Sequence, residues 1–125
     1  MKLSAFLAVV AVVAVAFGLA FVVAPEPLLA TYGISLPPAG LFVGRLFGAA
    51  LIALGLVAAF SRNVTDGLAR NAILRGYFVG ELIGFVCVLW GQIQGVTNML
   101  GWSTVAIYFL FTLGFGYFLF MKPAA

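Results

Sequence analysis

The chain has 125 residues, 66% of them hydrophobic and only 7% charged, with a mean hydropathy of +1.28. A water-soluble domain carries about a quarter of its residues as charges. Six basic and three acidic side chains leave most of this surface to face hydrocarbon, and the scattered net charge of +3 forms no basic stripe for nucleic acid.

The first apolar run, residues 3–24, exceeds the about 20 residues that cross a hydrocarbon core. It is longer than the core of a secretory signal, and Pro25 would sit badly after a cleavage at Ala24. It is therefore read as a retained membrane helix. Pro25-Glu26-Pro27 opens a connection to Gly40. Leu28, Leu29 and Tyr32 have near-helical spacing and Gly33 is a natural stop, so residues 26–33 are expected as a helical turn in the headgroup layer. Pro37-Pro38 sets an extended turn before the second span, residues 41–60.

The polar segment from Ser61 to Ala72 reads as a loop or as a frayed helical extension. The third span is expected over 73–93 and the fourth over 101–121, ended by Lys122-Pro123. Lys2, Arg62, Arg70, Arg75 and Lys122 all fall on one side of this arrangement, and the two opposite loops carry no basic residue. Basic residues in short loops stay cytoplasmic, so both termini are placed there. Trp90, Trp102 and Tyr32 then mark the outer interface, and Tyr77 and Tyr117 the inner one. Short loops make successive helices neighbours. The expected fold is all-α, a single up-down-up-down four-helix transmembrane bundle over residues 1–125, with no internal repeat of the inverted-transporter kind.

Glu81 is the sharpest chemical feature. It falls about 12 Å along the third span from Ile73, near mid-bilayer, where an ionised carboxylate must be paired, hydrated or protonated. One reading is a proton or cation coupling site; the other is a neutral acid that hydrogen-bonds a neighbouring helix. Arg45 is the second intramembrane charge. It either pairs with Glu81, snorkels to the outer interface, or donates to Gln92, Gln94 or carbonyls near the end of the third span. Thr104, Tyr108, Thr112 and Gly116 line the fourth span, and Tyr108 and Thr112 are the candidate partners of Glu81. Gly44 and Gly48, then Gly76, Gly80 and Gly84, repeat every four residues, as does Gly91-x-x-x-Gly95. Such spacing lets helix backbones approach closely in lipid.

Cys87 is the sole cysteine and there is no histidine. A single thiol within an apolar run reads as an unreactive packing residue. A zinc site, an internal disulfide and a histidine-ligated haem or pigment are all unsupported. Four-helix redox enzymes of the vitamin K epoxide reductase kind need paired cysteines. No nucleophile–base set, phosphate-cradling loop or metal cluster is present, so no enzyme, cofactor or metal is expected.

The arrangement FGLAFVVAPEPLLATYGI, then GRLFGAALIALGLVAAFSRN, then LGWSTVAIYFLFTLGFGYF, resembles small bacterial membrane proteins of the DoxX-like kind and related four-helix families. The resemblance covers most of the chain. It implies a four-helix bundle in the bacterial inner membrane and no particular activity. Small multidrug transporters are similar in length, but their coupling glutamate belongs to the first helix, which has no acid here. The expected role is a non-catalytic accessory or structural subunit of a larger membrane complex, in contact with the lipid bilayer and other membrane subunits. Lipid, quinone or pigment is allowed in grooves without histidine ligation. The competing role is a small oligomeric transporter or channel coupled through Glu81.

Overall fold

The computed structural model describes residues 1–122; Pro123, expected to help end the last helix, lies outside them. Among the described residues the structure is helical, without strands. The helices are α1 (Leu3–Val23), α2 (Pro25–Thr31), α3 (Pro38–Phe60), α4 (Gly67–Ile93) and α5 (Gly101–Gly116). A 3₁₀ turn, Ser61–Asn63, prolongs α3, and a π-helical turn, Tyr117–Met121, prolongs α5. Four helices, two of them counted with these extensions, are long and apolar enough to cross a membrane.

Local chemistry sets the boundaries. Pro25 occupies the first position of α2, where its missing N–H costs nothing. Gly33 has a φ of 76°. The Ile34 N–H donates to the Leu29 carbonyl and the Gly33 N–H to the Ala30 carbonyl, each at 3.0 Å, the paired bonds of a Schellman stop. Pro37 is extended, with ψ 167°, and Pro38 begins α3. The second long helix therefore starts three residues before the expected Leu41. Similarly, α4 starts at Gly67 rather than Ile73. The Asp66 carboxylate accepts from the Ala69 N–H at 2.9 Å and caps the helix, so the polar segment divides into a 3₁₀ turn and a true helical extension.

The chain forms two compact units, one ending at Arg62 and the other starting at Asn63. The first is the α1–α3 hairpin, with α2 in its connection. Its seam is made of small residues. A Cβ on Gly48 would stand 2.7 Å from the Gly18 carbonyl oxygen, and one on Gly55 would stand 3.1 Å from the Ala11 carbonyl. Gly18, Gly48, Gly55 and Ala58 are all buried. Gly44 makes only ordinary contacts, 3.8 Å to the Phe21 ring and 3.9 Å to Pro25. Phe21 and Phe47 meet edge to face at 5.1 Å. Main chains that lie this close gain dispersion contacts that lipid tails cannot replace.

The second unit is the α4–α5 hairpin. Its seam runs along α5 through Gly101, Val105, Tyr108, Thr112 and Phe115 and reaches Leu119 in the π-helical turn, alternating steps of four and three as in a coiled-coil seam. The partner line on α4 runs Leu74, Tyr77, Glu81, Gly84 and Val88, with the same alternation. Aromatic rings fill this seam where the first hairpin has glycines. Tyr77 stacks on the fully buried Phe115 with ring centres 4.6 Å apart. Phe78 meets Phe120 at 5.4 Å and Phe85 meets Phe109 at 5.5 Å. Tyr77, expected as an interface ring, is instead a core residue of this hairpin, while Trp90, Trp102 and Tyr117 are exposed.

Candidate functional site: a seam carboxyl between two clasped ends

Glu81 lies fourteen residues after Gly67 and twelve before Ile93, about 21 Å and 18 Å from the ends of α4 at 1.5 Å per residue. Successive residues turn by about 100°. Along the helix Glu81 therefore lies between Tyr77 and Gly84, both of which touch α5, and on the wheel it stands about 40° to one side of Tyr77. The Tyr77–Phe115 and Gly84–Tyr108 contacts put it level with Phe111 and Thr112. Its Oε2 atom is buried and has no hydrogen-bond partner among the described residues.

Of its two expected partners, Thr112 is engaged elsewhere. Its hydroxyl donates to the Tyr108 carbonyl at 2.7 Å, one turn back in α5, a common way for a threonine to satisfy itself inside a helix. Tyr108 is the closer match. Its ring covers Gly84 so tightly that a Cβ there would collide with it, and its phenol lies within electrostatic reach of Glu81 and Cys87. Cys87 is exposed rather than a buried packing residue.

The glycine repeat on α4 behaves differently from its expected role. A four-residue step advances about 400°, so Gly76 stands about 80° around the helix from Gly84. Only Gly84 reaches the seam. A Cβ on Gly76 or Gly80 would meet nothing within 4 Å, and both are exposed. Gly95 is not a packing glycine either. Its φ is 76°, and the Val96→Gly91 and Gly95→Gln92 backbone bonds, at 2.9 and 3.1 Å, make it the left-handed residue of a second Schellman stop.

The arginines hold helix ends. The Arg45 Nε donates to the Val22 carbonyl at 3.1 Å, one of the last four carbonyls of α1, which the helix leaves without a donor of its own. Its acceptor is thus the end of α1 in its own hairpin. At the opposite end of that hairpin, the Arg62 Nε donates to the Ser4 carbonyl at 3.1 Å. In the second hairpin, Arg70 donates to the Phe118 carbonyl at 3.2 Å and the Lys122 carbonyl at 2.7 Å. Arg45 and Arg70 thus set a cation against the negative end of a helix, which is favourable, whereas the Arg62 acceptor lies in the first turn of α1.

The far end of the second hairpin is closed by neutral groups. Thr97 Oγ1 donates to Gln92 Oε1, Gln92 Nε2 to the Asn98 carbonyl at 3.1 Å, and the Leu100 N–H to Asn98 Oδ1 at 3.0 Å. Gly101 is required there, since a Cβ would strike the Gln92 amide and the Thr97 hydroxyl. Sequence reading missed this turn as a unit; the signal was present in the cluster Gln92, Thr97, Asn98 and Gly101. Among the described residues, no three His, Cys, Asp or Glu side chains come together as a metal site.

The arrangement offers structural clasps at helix ends and one isolated carboxyl in a seam. The chain matches no family model, no curated protein and no solved structure.

Proposed function

We propose that the chain is a multi-pass protein of the bacterial inner membrane, with four spans and both termini cytoplasmic. We read it as a non-catalytic accessory or structural subunit of a larger membrane complex. The DoxX-like resemblance belongs to this proposal as shared architecture only. The observation that carries it is how the polar side chains are engaged. Arg45, Arg62, Arg70 and Asp66 each bind backbone groups, Thr112 satisfies its own helix, and Gln92 and Thr97 close a turn. General acid–base work needs a positioned donor and acceptor around a reacting atom, and these groups hold helices instead. Large apolar side chains such as Phe42, Leu46, Leu54, Val79, Ile83 and Val86 are exposed, which suits lipid and neighbouring subunits.

The test is extraction at native expression level into a mild detergent or directly into lipid discs. The expected result is a stoichiometric assembly with other membrane subunits. A chain that runs alone as a monomer overturns the subunit reading.

The second reading, a small oligomeric transporter or channel, has the unpartnered Glu81 Oε2 in its favour. Intramembrane acids are costly and commonly functional. If Glu81→Gln leaves solute and proton flux unchanged in reconstituted vesicles, that reading fails.

A further inference from the structure

We propose that Glu81 is a proton-binding site inside the α4–α5 seam, occupied at neutral pH, and that its carboxylic acid is the modification site of this chain for lipid-soluble carbodiimides. The inference rests on the membrane reading above but on neither of the two roles.

Three observations carry it. Glu81 is near the middle of a 27-residue helix that is long and apolar enough to span a bilayer. It stands in the contact line with α5, between Tyr77 and Gly84, and its Oε2 atom is buried without a hydrogen-bond partner. Among the described residues of its hairpin no countercharge faces it. From α5 the titratable side chain within electrostatic reach is Tyr108, and on its own helix Tyr77 stands one turn before it; neither becomes a cation in any protonation state. Arg70 is held by the carbonyls of Phe118 and Lys122. Arg75 is exposed and six residues away, about 9 Å along the axis. An ionised carboxylate with an unbonded oxygen in such a place costs several kcal/mol, and binding a proton removes that cost.

A protonated carboxyl at the edge of hydrocarbon has a specific reactivity. Its O–H adds across one C=N bond of a carbodiimide: the proton goes to nitrogen and the carboxyl oxygen bonds the central carbon. The O-acylisourea then rearranges by acyl migration from oxygen to nitrogen, giving a stable N-acylurea. No atom leaves and no oxidant is needed. Glu81 as a residue is only half-buried, so a lipid-dissolved reagent has an approach to it. Glu26 and Asp66 are exposed in polar connections, away from the dissolved reagent.

The experiment treats the full chain in lipid vesicles with dicyclohexylcarbodiimide at neutral pH, in a Cys87→Ala background that removes the competing thiol. The expected result is one adduct, mapped by peptide mass to Glu81 and lost in Glu81→Gln. In parallel, the infrared carbonyl stretch of a protonated carboxyl is recorded in light and heavy water. It should be present in the parent chain and lost in Glu81→Gln. Tyr108→Phe should shift its frequency. Absence of that band at neutral pH overturns the proposal, whether or not the reagent has reached the site. An adduct that maps instead to Glu26 or Asp66 also overturns it. A chain that never enters vesicles defeats the membrane reading separately, because it fails to float with lipid before any reagent is added.

Discussion

Gly18 and Gly48 face each other across the α1–α3 seam so closely that a Cβ built on either stands 2.7 Å from the other's carbonyl oxygen. The absence of a side chain on both is what lets the two backbones meet. Their replacement by alanine should separate the helices, and overpacking of this kind costs about 1–3 kcal/mol. Gly18→Ala and Gly48→Ala should each lower the thermal midpoint measured in detergent. Gly44→Ala should not, since its nearest neighbours are at 3.8 and 3.9 Å.

The α4 glycines separate in the opposite sense. Gly76 and Gly80 have open space where a Cβ would sit, and alanine is favoured over glycine inside a helix by about 1 kcal/mol. Gly76→Ala and Gly80→Ala should raise the stability of the isolated chain or leave it unchanged. A loss of stability in the monomer would contradict the open space at these two positions.

Gly84 and Tyr108 should be energetically coupled, because the ring occupies the space of the missing side chain. Gly84→Ala should destabilise the parent chain and be tolerated in a Tyr108→Ala background. A double-mutant cycle in mild denaturant would read a coupling of about 0.5–3 kcal/mol, the range for residues in contact. Strict additivity would contradict the contact.

Arg70 joins the start of α4 to the end of the last helix through two carbonyls. Hydrogen bonds from a charged donor contribute about 1.5–3 kcal/mol. Arg70→Met should therefore loosen the segment after Gly116 before it affects the rest of α5, and hydrogen exchange at Phe118 to Lys122 would resolve the difference. Arg70→Lys, which keeps the charge but not the planar fork, should recover only part of the protection.

Orientation is testable with single cysteines. In a Cys87→Ala background, Thr65→Cys should react with an impermeant maleimide only from the cytoplasmic side of an oriented vesicle. Ser35→Cys and Met99→Cys should react only from the other. Reaction of all three from one face would contradict the placement drawn from Lys2, Arg62, Arg70, Arg75 and Lys122.

The four long helices were legible because uninterrupted apolar runs of spanning length have few alternatives. The stop at Gly33 was legible for a local reason as well: a glycine after a short apolar helical stretch is a left-handed cap. Gly95 has the same conformation as Gly33, yet its spacing from Gly91 resembles a packing motif, and spacing alone does not separate the two uses. The early starts of α3 and α4 had signals in Pro38 and Asp66, both common at a helix N-terminus, hidden behind expectations set by hydropathy. The glycine and hydroxyl lines repeat at four-residue intervals. A contact seam alternates four and three, so Gly84 and Tyr108 belong to it, whereas Gly76 and Gly80 drift off it. Glu81 could be named from one sequence because charge inside an apolar run is conspicuous. The acceptor of Arg45 could not, because Val22 contributes only a carbonyl, which every residue carries.

The two hairpins are joined internally by unlike materials. Glycine against carbonyl in the first brings main chain onto main chain, whereas in the second the helices meet through rings, whose offset and edge-to-face preferences set the fit. Under stress the pair should not yield together. Helices α1 and α3 should hold register to the last, whereas any give between α4 and α5 falls between the Arg70 clasp and the turn closed by Gln92 and Thr97, on the stretch that carries Glu81.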